Sequence, residues 1–313
     1  MAKMVKTNID EAIARVDDWK GRTITYEPVA GGKTNPNFKV NVDGTDFFLK
    51  IPGDGTDFID RECCHEANAI ADKTGCGPKV CYYFPDTGVE IFEWLDGYYP
   101  LTYSEALNEE IITKIITQIA AYHRSGEVLP AKATLIDQAW DMIERAKANT
   151  YTPIANDRMI YLLNKIEEAV DHDGIQWAPC HNDFYVANWM YNRSTGDIKF
   201  IDFEYATMND PYSEISFGST HTLGEGGDML ISRVYHDGEF NEKGYAKMKL
   251  YQLVRDIKWS YWSLQQEVNS NVNFDYFSWF AGKYARLQWL WQDPRIDYWL
   301  NLLNGKPIFR RPE

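Results

Sequence analysis

Long apolar runs are missing from this chain. No stretch approaches the roughly 20 residues that a membrane-spanning helix needs, so a transmembrane protein is not expected. Cysteine is sparse: five residues, at 63, 64, 76, 81 and 180, an odd number without metal-binding spacing. Cys63 and Cys64 are adjacent on an expected helix and point apart, so free thiols of a reducing compartment are the expectation. Met1 to Asp10 is polar and lacks the apolar core of a signal peptide, which adds to a cytoplasmic expectation. Positive charge is also short, with 32 Lys and Arg against 46 Asp and Glu, a formal net charge of -14. A general nucleic-acid binder needs a basic surface, so that class is not expected. An acidic surface favours approach of a small cation, and it equally serves solubility. No internal repeat or low-complexity segment is visible.

Apolar and aromatic residues are plentiful, at 44% and 15% of the 313 residues, enough for the core of one or two domains. Asp10 to Trp19 has the spacing of a short amphipathic helix. Strands are predicted at Thr23–Tyr26, Asn37–Val42 and Phe47–Ile51, with Asp43-Gly44 as a hairpin turn. A helix over Asp60–Lys73 is capped by Asp60 and stopped by Gly75. Lys79–Phe84 and Val89–Trp94 form a second hairpin. Beyond Gly97 helical periodicity takes over, at 103–125, 136–148 and 156–171, then at 245–268, 276–291 and 297–303. Two short strands, 189–191 and 198–201, interrupt it. An α+β molecule of two lobes follows: a strand-rich lobe over 1–95 and a mainly helical one over 96–313. The cleft between them is the natural place for a ligand.

One stretch carries most of the chemistry. His181-Asn182-Asp183 is followed by Asn188, and then by Ile201-Asp202-Phe203-Glu204. Phosphoryl transfer from ATP needs a carboxylate to accept a hydroxyl proton and hard oxygen donors to hold Mg²⁺ against phosphates. Asp183 fits the first task, Asn188 and Asp202 the second. The spacing resembles the catalytic loop and metal-binding aspartate of protein kinases, with Asp-Phe-Glu where those enzymes have Asp-Phe-Gly.

The strand-rich lobe offers matching nucleotide contacts. Gly31-Gly32-Lys33-Thr34-Asn35-Pro36-Asn37 lies between two strands. Its glycines permit close backbone approach to phosphate, and Thr34, Asn35 and Asn37 add neutral donors, although a plain hairpin turn reads the same way. Lys50, central in an apolar strand, either snorkels outward or reaches a phosphate. In kinase-like folds a helix carboxylate holds such a lysine. Glu62 and Glu66 share one face of the next helix, and Glu66, lying deeper, is preferred. Phe92 and Glu93, in the segment joining the lobes, are expected to supply backbone hydrogen bonds and an apolar floor to adenine.

Together these residues resemble the choline kinase family, especially its bacterial members, within the wider group that includes aminoglycoside phosphotransferases. The resemblance rests on the glycine turn, on Leu49-Lys50-Ile51-Pro52-Gly53, Ile59-Asp60-Arg61 and Gly77-Pro78-Lys79-Val80, and on the His181 and Asp202 segments. Met208-Asn209-Asp210-Pro211 and the pair Trp259 and Trp262 complete it. It implies a bilobal protein-kinase-like fold and transfer of the ATP γ-phosphoryl group to an amino alcohol. It also implies Asp183 as base, Asn188 and Asp202 as Mg²⁺ ligands, and Lys50 on the phosphates. Two departures stand out. The bacterial pattern would place the helix glutamate near Cys64, between Glu62 and Glu66. Glu214 stands where the family more often has aspartate, and a carboxylate there is expected to brace the catalytic loop.

Choline, a quaternary ammonium, has no N–H, so aromatic faces recognise it. Trp259 and Trp262 are three apart on a predicted helix and share a face. The family's pocket draws its aromatics from this helix and the next, which brings in Trp279, with Tyr276 as a second candidate. Aromatic stripes of this kind also occur as plain core. The expectation is a choline kinase using ATP and Mg²⁺ on a small molecule. The alternatives are an ethanolamine or other amino-alcohol kinase, an aminoglycoside phosphotransferase, or an inactive choline-binding protein of the same fold.

Overall fold

The computed structural model describes residues 5–307 apart from 30–34, 54–55, 57–58, 151, 154–155, 222 and 271–273. The chain begins with helix α1 (Ile9–Ala14) and strands β1 (Ile24–Pro28), β2 (Asn37–Val42) and β3 (Thr45–Lys50). Asp43 and Gly44 both have positive φ, 50° and 91°, so the β2–β3 hairpin closes through the tight turn that Asp-Gly favours. Helix α2 (Arg61–Lys73) starts at Asp60, whose carboxylate accepts the Cys63 amide at 3.1 Å. It ends before Gly75, at φ 75°. Strands β4 (Val80–Phe84) and β5 (Val89–Glu93) finish an antiparallel sheet of order β1-β2-β3-β5-β4. Ala12, Val16 and Trp19 pack against Val40, Val42, Leu49, Val89 and Ile91 beneath it.

Past residue 97 come β6 (Tyr98–Pro100), α3 (Glu109–His123), α4 (Leu135–Asn149) and α5 (Asn156–Asp173). Four short strands follow: β7 (Ala178–Cys180), β8 (Trp189–Asn192), β9 (Asp197–Phe200) and β10 (Thr207–Asn209). β10 pairs with β7, and the β8–β9 hairpin takes β6 as its third strand. The loops 181–188 and 201–206 are thereby tied to one another at the ends of these pairs. The chain closes with α6 (Pro211–Ile215), α7 (Gly224–Tyr235), α8 (Glu242–Asn269), α9 (Tyr276–Leu290) and α10 (Ile296–Leu303).

One large core joins these helices, and it includes Cys63, Ala67, Ile70 and Ala71 of α2, so α2 is bonded through its apolar face to the second half of the chain. All five cysteines are free, and Cys63, Cys64, Cys76 and Cys180 are buried. Helix α8 is covered on nearly every side, yet it carries Lys247, Lys249, Arg255, Asp256 and Lys258 inside the fold. Charges are that deep only where partners are present. Most are plainly paired: Lys247 with Asp210 at 2.6 Å, Lys249 with Asp228 at 2.6 Å, Arg255 with the Ser213 carbonyl at 2.6 Å. Among the described residues no helix is long and apolar enough to cross a membrane.

Candidate active site

The site is built on two residues with positive φ that are not glycine: Asn182 at 64° and Asp202 at 69°. L-residues adopt that region only when their surroundings hold them there. For Asn182 the hold is visible. Its amide nitrogen donates to the Tyr205 carbonyl and to Thr207 Oγ1, both at 2.8 Å, and Asn209 donates to its Oδ1 at 2.8 Å. Its backbone N–H and that of His181 both donate to Glu214, at 2.7 and 2.9 Å. Glu214 is 1% exposed and also bonds His123 Nε2 at 2.9 Å. His123, Cys180 and Glu214 lie close enough together to suggest a metal triad. The Glu214 oxygens, however, are committed to these hydrogen bonds.

His181 is a buttress. Its Nε2 lies 2.8 Å from the Ile201 carbonyl, its Nδ1 accepts the Asp183 N–H at 3.3 Å, and its ring packs 4.4 Å from that of Phe203. The loop of Asp183 and the segment of Asp202 are therefore joined directly. Asn188 donates through Nδ2 to the Asp183 carbonyl at 2.9 Å and to Asp183 Oδ2 at 3.1 Å. His221, which from its place after the catalytic hairpin could border the alcohol site, fixes the turn before Asn188. It stacks on Trp189 at 5.0 Å and accepts the Val186 N–H at 3.3 Å. Burial pushes its pKa down to about 4, which keeps it neutral for this task.

The nucleotide side differs from the expectation, first in the partner of Lys50. Lys50 is paired with neither Glu66 nor Glu62, which are both exposed. Its ammonium lies 2.8 Å from Asp202 Oδ1 and 3.0 Å from Glu204 Oε1. At the α2 position nearest the expected carboxylate stands Cys64, a buried thiol whose Sγ meets the Glu204 carbonyl at 3.5 Å. The carboxylate comes instead from the last residue of Asp-Phe-Glu, two beyond Asp202. Glu204 is fixed in turn by Arg61 at 2.9 Å and by the Asn35 amide. Burial opposes its charge, but Lys50, Asn35 and Arg61 hold its pKa down at about 2. Burial likewise opposes the Lys50 charge, and Asp202 and Glu204 outweigh it, so its pKa is raised.

Asn35 is thus a brace between Glu204, Gly53 and Arg61. Asn37 pairs across the hairpin with Lys50, and its Oδ1 is buried without a hydrogen bond. Gly32 and Thr34 lie outside the described residues. Phe92 is buried beside Phe48, at 6.3 Å between rings. The Glu93 N–H is bonded to the Lys79 carbonyl at 3.0 Å, which removes it as a donor to a base. The sheet edge claims that amide first.

Two oxygens are left over at the centre. Among the described residues, Asn188 Oδ1 and Asp202 Oδ2 make no hydrogen bond. Asp202 is also 43% exposed at its side chain. Hard, unclaimed oxygens are what a Mg²⁺ ion takes. Asp183 is pushed above the ordinary aspartate pKa, by burial first and by Asp202 as well, with His181, Lys258 and Asn188 opposing.

Among the aromatic residues expected to hold the acceptor, Trp259 and Trp262 meet edge to face at 5.4 Å, and Trp262 meets Tyr276 at 5.9 Å. Phe274, not singled out in the sequence, bridges Tyr276 at 4.9 Å to Trp279 at 6.0 Å. The three expected tryptophans thus belong to one chain of ring contacts.

The sequence matches the Choline/ethanolamine kinase family over residues 26–217. The chain belongs to that family. Protein LicA of Haemophilus influenzae is 24% identical over 258 residues, covering 79% of this chain and 75% of LicA. The crystal structure of a choline/ethanolamine kinase family protein from Mesorhizobium loti has a TM-score of 0.80 at 24% identity, covering 95% of this chain and 99% of its own. That of choline kinase LicA from Streptococcus pneumoniae has 0.71 at 19%, covering 88% and 97%. The fold of this choline/ethanolamine kinase family member is accordingly the α+β, protein-kinase-like one expected from the sequence. The family's reaction, phosphorylation of a small alcohol, is the coarse activity of the chain.

Proposed function

We propose that this protein transfers the γ-phosphoryl group of ATP to the hydroxyl of a small amino alcohol held between Asp183 and the aromatic rings of α8 and α9. Between choline and ethanolamine, the tryptophan pair favours choline. The observation that carries the reading is two hydrogen-bonded pairs, Asn188 with Asp183 at 3.1 Å and Lys50 with Asp202 at 2.8 Å, on segments that His181 ties together. An inactive binding protein of the same fold has no need of two carboxylates, an amide and a half-buried lysine so arranged.

The Asn188 and Asp202 oxygens are the ligands proposed for Mg²⁺, which, when bound, neutralises charge on the phosphates. Lys50 is the cation for the same phosphates. Glu204 and Asp202 keep it protonated and pointed into the site until nucleotide arrives. Asp183 orients the acceptor hydroxyl and takes its proton. The transition state is loose, so position counts for more than basicity. The aromatic cluster stabilises a cationic head group by cation–π attraction.

Release of ADP that depends on an added amino alcohol tests this reading. ATP hydrolysis that ignores every alcohol would remove it. Lys50→Ala is expected to raise the KM for ATP roughly 10- to 100-fold, the loss of one charged hydrogen bond. An unchanged ATP KM would take Lys50 out of the nucleotide site.

A further inference from the structure

The helices that form the acceptor side, α8 and α9, lie beyond the matched family segment, which ends at residue 217. Their charges are unusual for a cation pocket. Lys258, 3% exposed, has its ammonium 4.4 Å above the Trp259 ring and 5.9 Å from that of Tyr205. Its one hydrogen bond, 2.7 Å long, goes to the neutral Gln138 amide oxygen. Lys283, 8% exposed, has its ammonium 4.6 Å above the Trp279 ring. Among the described residues it makes no hydrogen bond and no ion pair. The indole N–H of that same Trp279 is fully enclosed without a partner.

Among the described residues the Lys283 ammonium and the Trp279 indole N–H have no acceptor, and Lys258 has a single neutral one. A lysine ammonium has three N–H groups and an indole one, and all are costly to bury unbonded. The other buried cations of α8 show what satisfaction looks like, since Lys247 and Lys249 each reach a carboxylate. Among the described residues Asp256 bonds Arg286 through both oxygens and makes no ion pair with Lys283. Two of the tryptophan faces expected to greet a quaternary ammonium are thus already covered by cations. The rings of Trp262 and Tyr276 are not.

Resting on the amino-alcohol kinase reading, we propose that Lys283 and the Trp279 indole N–H form an anion subsite of the acceptor pocket, with Lys258 adding positive charge beside Asp183, and that the acceptor is a zwitterionic amino alcohol carrying a carboxylate. Its ammonium faces Trp262 and Tyr276, its hydroxyl faces Asp183, and its carboxylate supplies the missing acceptors. The electrostatics agree. Burial pushes Lys283 down to about 8, helped by Arg286 and Arg255 and opposed by Asp256 and Asp183. Burial also pushes Lys258 down to about 8, with Arg255 adding and Asp183 opposing. A bound carboxylate relieves both lysines, whereas choline adds a third positive charge.

The test is steady-state ADP release by the full chain with ATP and Mg²⁺, using choline, ethanolamine, L-serine, L-homoserine and L-carnitine as acceptors. The expected result is a kcat/KM for one of the three zwitterions roughly 10- to 100-fold above that for choline or ethanolamine. Lys283→Gln is expected to raise the KM for that zwitterion by a similar factor and to raise kcat/KM for choline. Its thermal midpoint should equal or exceed that of the parent, since an unbonded buried charge has gone; Lys283→Met serves should the glutamine variant fail to fold. A parent that prefers choline or ethanolamine, or a Lys283→Gln variant with unaltered KM for the best acceptor, overturns the subsite while leaving the kinase reading intact. ADP release with none of the five, by contrast, overturns the kinase reading itself.

Discussion

An Asp183→Ala variant is expected to turn over roughly 10²- to 10⁴-fold more slowly than the parent, the usual contribution of a positioned acid-base group, with the KM for ATP changed by less than about threefold. The asymmetry follows from what Asp183 touches. Its Oδ2 accepts from Asn188, and its backbone N–H is held by His181. Among the described residues its other carboxylate oxygen makes no hydrogen bond and can meet a hydroxyl, and none of its bonds reaches Lys50. Burial and the neighbouring Asp202 charge raise its pKa above that of an ordinary aspartate. The unprotonated form is the one that accepts a proton. Activity should therefore fall as pH is lowered, and the fall should begin at a higher pH than for an unperturbed aspartate. Asp183→Asn keeps the shape and the Asn188 contact, so it separates the charge from the packing. Near-normal turnover in either variant, measured by ADP release at saturating acceptor, would refute the assignment.

Much of this site could be read from residue order because its parts are local. The hairpin at Asp43-Gly44, the cap at Asp60 and the stop at Gly75 are each decided within four residues, and the structure places them there. The catalytic loop is likewise a short segment whose residue types have few other uses together. What escaped was decided by distant contacts. The Lys50 partner comes from 154 positions away in sequence, and nothing in α2 shows that Glu66 faces outward while Glu204 faces in. Strands β6, β7 and β10 are three residues each, too short to leave a pattern. Helix α7 opens with Gly224, Gly226 and Gly227, poor helix formers, and forms regardless; the close approach of Leu223 to Gly227 leaves no room there for a Cβ. The lysines of the proposed acceptor pocket were visible as residues but not as buried charges. Burial of Lys258 and Lys283 depends on how α8 and α9 pack, which periodicity alone leaves open.

Glu214→Ala is expected to destabilise the fold by roughly 3–5 kcal/mol, the cost of breaking a buried charged network from one side. The structure gives three reasons. The backbone N–H groups of His181 and Asn182 lose their acceptor, and each orphaned donor costs about 1–3 kcal/mol. His123 loses its Nε2 partner in the core and keeps only Tyr235 at Nδ1. Asn182, already at positive φ, loses part of what holds it there. The urea midpoint should fall with an unchanged slope, which marks a loss of stability rather than a change in the unfolded chain. Turnover should fall as well, because Asp183 follows directly on the two residues set loose. Glu214→Gln is less damaging, since one carbonyl oxygen remains to accept a loop amide. The pH dependence has a definite sign. Burial favours the neutral acid, but the His123 hydrogen bond, the His123 and His181 charges and the His181 N–H together bring Glu214 below its ordinary value. A carboxylate with a depressed folded pKa stabilises above its unfolded pKa, near 4.5, and that stabilisation is lost as pH falls through the folded value. The gap between parent and Glu214→Gln should therefore narrow as pH falls below about 4.5. A Glu214→Ala protein within about 1 kcal/mol of the parent would mean that the loop is held by Asn182 and Asn209 alone.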